Sequence, residues 1–161
     1  MYKADSLRRH LSGANRILKR NPERFHIFVD EGNVVATGTG SLSHEYQYRL
    51  NIHIEDYAGP IEAVTVPILA WVQIHQSELL NNPEKRRTGI SFDVDFNNND
   101  TIDMLIRLTL TEKSIVTKDG KGRIDIKHQE EPLLTPPYDN EFWKLYEGDN
   151  LIAEWNIKNN G

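Results

Sequence analysis

The alternation between residues 42 and 55 constrains this chain more than any other stretch. Leu42, Tyr46, Tyr48, Leu50, Ile52 and Ile54 fall on one parity. Ser43, Glu45, Gln47, Arg49, Asn51, His53 and Glu55 fall on the other, and only His44 breaks the apolar side. A period of two held this long predicts a strand with one wet face and one buried face. Asp56 to Pro60 turns the chain. Ile61, Val64, Ile68, Trp71, Val72, His75 and Leu79 then recur at helical spacing. The pair makes a half-buried strand and a helix able to cover its dry face.

Pro67 complicates that helix, because an interior proline removes a hydrogen bond and clashes with the preceding turn. Two solutions are open. The helix starts near Pro60 and kinks at Pro67, or residues 61–66 are extended and the helix begins at Pro67. The continuous period from Ile61 to Leu79 favours the kinked helix.

The flanking segments follow the same rules. Asp5 or Ser6 caps a first helix running to about Arg20, with Leu7, Leu11, Ala14 and Leu18 as its apolar stripe. Asn21 and Pro22 end it. Arg24 to Asp30 reads as a short strand, Glu31 to Asn33 as a turn, and Val34 to Gly38 as its partner strand. After a polar connector over 81–89, Ile90, Phe92, Val94 and Phe96 alternate with polar residues. Beyond a turn at Asn98 to Asp100, Ile102, Met104, Ile106, Leu108 and Leu110 do the same, predicting a hairpin. Arg123 to His128 reads as an edge strand blunted by Arg123 and Lys127. Three prolines within 132–137 predict an extended linker. Lys144 to Trp155 looks like a small hairpin around Glu147 to Asn150. A lone hairpin is barely stable in water, so it must dock, on its own sheet or on another subunit.

Composition excludes several function classes. The 161 residues suit one core, and the absence of cysteine excludes a disulfide scaffold and a thiolate metal site. The polar N-terminus shows no signal segment, and no apolar run is long enough for a membrane span. A net charge of −5 opposes non-specific attraction to nucleic acid. Asp93 to Asp100 starts like a calcium loop, but Asn98 and Met104 stand where that loop needs glycine and glutamate. The six histidines show no zinc-binding spacing, and no serine sits in a nucleophile elbow. Neither a catalytic nor a cofactor-binding constellation is legible. The aromatics Tyr138, Phe142, Trp143, Tyr146 and Trp155 lie among acidic residues, which points to a protein contact rather than to stacked bases.

Several segments, taken in order, resemble the phage tail completion protein R family of contractile-tailed, peduovirus-type phages. They are Asp5-Ser-Leu-Arg8, Leu18-Lys-Arg-Asn-Pro22, Ile27-Phe-Val-Asp-Glu-Gly32, Ser41-Leu-Ser43, Leu50-Asn-Ile52, Val66-Pro-Ile-Leu-Ala-Trp71 and Leu110-Thr-Glu112. The resemblance covers roughly residues 4–130, and Leu145-Tyr-Glu-Gly148 with Trp155 is similar to the family's terminal hairpin. It implies a virion structural protein without catalysis or cofactor, made in the host cytoplasm and placed in the tail. It also implies work at the head-proximal end beside the tail tube protein and a second completion protein, S. The element order is similar to that of tail terminator proteins, which form rings on the tail tube, so a homo-oligomeric ring is expected.

The expected fold is therefore α+β and tail-terminator-like. A mainly antiparallel (mixed) sheet carries two packed helices, followed by an extended arm and a β-hairpin. The expected units are a core over 1–130, a linker over 131–140 and the hairpin arm over 141–161. The expected interface residues are Tyr138, Phe142, Trp143, Tyr146 and Trp155. No metal, specific nucleic acid or membrane partner is expected. A competing reading is a non-enzymatic module that binds an extended peptide at a sheet edge.

Overall fold

The structure, a computed structural model, describes residues 1–38, 40–132 and 141–157. In chain order the elements are α1 (Tyr2–Ala14), α2 (Arg16–Arg20), β1 (Phe25–Ala36), β2 (His44–Tyr57) and α3 (Glu62–His75). Then come α4 (Glu78–Asn81), α5 (Pro83–Thr88), β3 (Ile90–Phe96), β4 (Ile102–Lys118), β5 (Ile124–Gln129), β6 (Phe142–Glu147) and β7 (Asn150–Asn156). The class is α+β, and every strand pairing is antiparallel.

The alternating strand is β2, and it lies at the centre beside β4. β1 flanks β2, while β3 and β5 share the far edge of β4. Ser114 fixes that arrangement by pairing with His44 on one side and His128 on the other. Rows run in register across four strands: Ile27, Ile52, Ile106 and Phe92 form one of them. On the inward parity Tyr48, Leu50, Ile52 and Ile54 meet Met104, Ile106, Leu108 and Leu110, and all eight are buried. Leu7, Leu11, Leu18, Val64, Ile68, Trp71 and Val72 cover them from the helix side.

Residues 24–38 do not form a strand, a turn and a partner strand. β1 runs through, and both of its halves pair with β2. Glu31 to Asn33 is a bulge, with Glu31 at φ 49°. The partner strand is long enough to pair with both halves, so the polar triplet bends the strand instead of reversing it. The first helix is likewise not continuous: it starts at Tyr2 and breaks at Asn15, whose backbone is extended. The 81–89 connector contains a helix, α5, capped by Asn82, and α4 runs into its start, ending at Asn81.

Pro67 lies inside α3, so the helix starts well before it. The proline leaves the Ala63 carbonyl, four residues back, without its helical donor. Asn15 supplies one: its Nδ2 donates to Ala63 O at 3.1 Å and to Tyr57 OH at 2.9 Å. Its Oδ1 accepts from the amides of Ile17 and Leu18, capping α2. The helix break and the interior proline are thus two halves of one device. Asn15→Ala is expected to cost about 3 kcal/mol, from a lost cap and unpaired buried groups. In a Pro67→Ala background the new amide bonds Ala63 O, so the same change should cost about 1 kcal/mol less. A double-mutant cycle in urea reads both values.

α3 is apolar nearly all round, as expected of a helix buried on two sides. One side faces the sheet. The other carries Ala63, Val66, Ala70 and Ile74 beneath the β6–β7 hairpin, where Ala153, Trp155 and Ile157 are buried. The hairpin therefore docks on its own chain, against α1 and α3. The order of layers is sheet, helices, hairpin.

Candidate interaction surface

The hairpin sorts its aromatics by parity. Trp155 is 6 % exposed. Its ring lies edge-on to Trp143 at 6.1 Å and to His10 at 6.2 Å. Trp143 is half-buried and donates from Nε1 to Glu141 at 2.9 Å. Phe142 and Tyr146 are 51 % and 53 % exposed. Tyr138 lies outside the described residues. The backbone amide of Ile157 donates to Glu141 O at 2.8 Å and closes the hairpin base.

A cleft of about 500 Å³ runs where α1, α3 and β7 meet, with Ser6, His10, Ile74, His75, Phe142 and Trp155 on its walls. His10 Nε2 bonds Pro67 O at 2.9 Å, and burial lowers its pKa. His75 stacks on Trp71 at 4.7 Å, and burial, helped by the nearby Lys3 charge, lowers it to about 4. Both rings are therefore neutral in the folded protein near neutral pH. The unfolded chain takes up these protons first, so stability is complete above about pH 6.5 and falls as pH drops toward 4. His75 alone accounts for up to about 3 kcal/mol of that loss. Urea midpoints at pH 7 and pH 4.5 should show the drop, and His75→Gln should reduce it.

A second group of polar side chains is buried at the other end of α1. Lys3 is 1 % exposed. Its Nζ donates to Gln76 at 2.8 Å and to Glu131 at 3.0 Å. Glu112 accepts from the Lys3 amide at 3.0 Å and from Tyr48 OH at 2.5 Å. Burial lowers the Lys3 pKa against the pull of Glu131, and raises Tyr48 and Tyr2, the latter to about 12. This clasp ties the start of α1 to β4, to the end of α3 and to Glu131. Sequence reasoning missed it, although the signal was present. Lys3 sits four residues before Leu7 on the apolar stripe, and Glu112 continues the inward parity of β4.

The outer face of the sheet is polar and self-paired. Arg49 holds Asp30 at 2.8 and 3.0 Å and Glu31 at 2.8 Å, while Asn51 donates to Asp30 at 2.8 Å. Those bonds pull Asp30 down to about 2. The turn after β3 is closed by its own side chains: Asn97 Nδ2 donates to Asp103 at 2.9 Å and to Thr101 at 3.1 Å, while Asp93 pairs with Arg107. Among the described residues no group of three or more histidine or acidic side chains is arranged to hold a metal. None of the described helices is long and apolar enough to cross a membrane. Large apolar side chains instead reach solvent along the sheet margins. Phe28, Val34 and Val35 do so on β1, Phe92 and Phe96 on β3, and Ile124 and Ile126 on β5.

Comparison with known proteins fits a surface built for assembly. The family model described as P2 phage tail completion protein R (GpR) matches residues 1–132. The chain is also similar to the tail completion protein R of Escherichia phage P2. Identity is 36% over 155 residues, spanning 96% of this chain and 99% of that protein. No solved structure matches.

Proposed function

The chain belongs to the P2 phage tail completion protein R family, and from that membership we propose how it completes a tail. It is a structural protein of a phage tail. We read it as a ring of copies seated on the tail tube at the head-proximal end, where it permits head joining. The match over nearly the whole chain carries this reading. Its neighbours there are the tail tube protein and a second completion protein of the S type.

The surface offered to those neighbours is the outer side of the hairpin, with Phe142 and Tyr146 exposed and Trp155 anchoring it from beneath. We read residues 131–140 as a proline-rich linker between a 1–130 core and a 141–161 arm; Tyr138, the fifth expected interface residue, lies outside the described residues. The acidic net charge suits a collar through which DNA passes without sticking. The test is to add labelled protein to tails assembled without their completion protein and to image them. Label at the head-proximal end, with recovered head joining, supports the reading. Label at the opposite end, or none, overturns it.

A further inference from the structure

We propose that copies of this chain join head to tail by extending the sheet. The open edge of β1 on one copy lies antiparallel against the open edge of β3 on the next. This rests on the ring reading above and names the contact that builds the ring.

Three observations meet at these two edges. Among the described residues β1 pairs only with β2, and β3 only with β4, so each keeps one unpaired edge, of which Phe25 O is taken, by Arg8 Nη1 at 3.3 Å. Such edges are templates for pairing unless they are covered. Apolar side chains stand exposed beside them, Phe28 and Val29 on β1 and Phe92 and Phe96 on β3, the last 85 % exposed. The regular part of β1 ends at the bulge after Asp30, which leaves residues 25–30 to match the seven residues of β3.

Charge gives the partner and the direction. Phe25 shares a row with Val94, and Val29 shares one with Ile90. At the Phe25 end β1 carries Arg24, and at the other end Asp30 and Glu31. At the levels of Arg24 and His26 β3 carries Asp95 and Asp93, the latter already paired with Arg107, and Arg86 and Arg87 precede β3 in the last turn of α5. Arg24 at one end of the first edge thus faces Asp95 at the matching level of the second, with apolar rows beyond them. Three successive antiparallel pairings make β1 and β3 antiparallel within a copy. A second copy in the same orientation keeps them so, with the levels matched. That is a heterologous contact, the kind that closes into a ring. Pairing β1 with β1 about a two-fold axis would leave Phe92 and Phe96 bare. Arg24 is free to take the partner: among the described residues its ion pairs are long, 3.9 Å to Glu23 and 3.9 Å to Asp56.

The chain has no cysteine, so engineered thiols report the contact cleanly. One chain carrying both Arg24→Cys and Asp95→Cys should give a ladder of covalent multimers on oxidation, and so should the neighbouring pair His26→Cys with Asp93→Cys. An equimolar mixture of the two single variants should stop at dimers. Arg24→Asp should weaken self-association about tenfold or more, and Asp95→Arg in the same chain should restore it. If the wild type assembles but neither double variant forms a ladder, this contact is wrong and the ring reading stands. Dimers from Arg24→Cys alone would mean a two-fold contact and also overturn it. A strictly monomeric wild type, at high concentration and with tail tubes present, defeats both readings.

Discussion

Glu112→Ala is expected to cost about 3–5 kcal/mol, a large share of the stability of a domain this size. The carboxylate is 2 % exposed and does two jobs. It accepts the Lys3 amide in the first turn of α1, a helix with no side-chain cap of its own. It also accepts Tyr48 OH from the centre of β2. Removing it leaves a helix amide and a phenol buried without a partner. Tyr48→Phe removes one donor and keeps the carboxylate, so its cost should be only about 1–2 kcal/mol. Glu112→Gln keeps an acceptor oxygen at that position and should recover much of the loss. Urea unfolding of the three variants separates these values. A Glu112→Ala cost below that of Tyr48→Phe would show that the clasp is not structural.

The way that clasp escaped sequence reasoning says what a sequence of this kind makes legible. Periodicity reports which face a residue takes, so β2, the inward row of β4 and the stripe of α3 were readable from spacing alone. It does not report what a polar residue meets once it is on the buried face. Glu112 and Lys3 have the right parity and the wrong chemistry, and their partners are far away in sequence. Asn15 was hidden for a related reason. It breaks a good helical stripe, and the reason for the break is a carbonyl orphaned at Ala63 by Pro67 on another helix. Local turn chemistry misled at Glu31 to Asn33, because the length of the facing strand decides between a turn and a bulge. The sheet margins were the least legible. Phe92 and Phe96 sit on the inward parity, and only the reach of the helix layer leaves them bare.

The docked hairpin is where these limits matter most for function, and Trp155→Ala should show it. The residue buries a large ring between α1, α3 and Trp143, so its removal is expected to cost about 3–5 kcal/mol. That loss falls on a two-stranded element with little stability of its own. It should therefore appear as undocking of β6 and β7 and leave the sheet folded. Hydrogen exchange reads the difference. Amides of β6 and β7 should lose most of their protection, while those of β2 and β4 keep theirs and the global urea midpoint moves little. Trp155→Phe makes the complementary point. Among the described residues the indole Nε1 is buried with no hydrogen-bond partner. Phenylalanine gives up some area but removes that unpaired donor, so the two effects offset and docking should hold within about 1 kcal/mol. If Trp155→Ala instead unfolds the whole chain, hairpin and sheet form one cooperative unit. The arm could not then be loosened without losing the core, and a partner that binds the outer face of the hairpin would be reading a rigid surface.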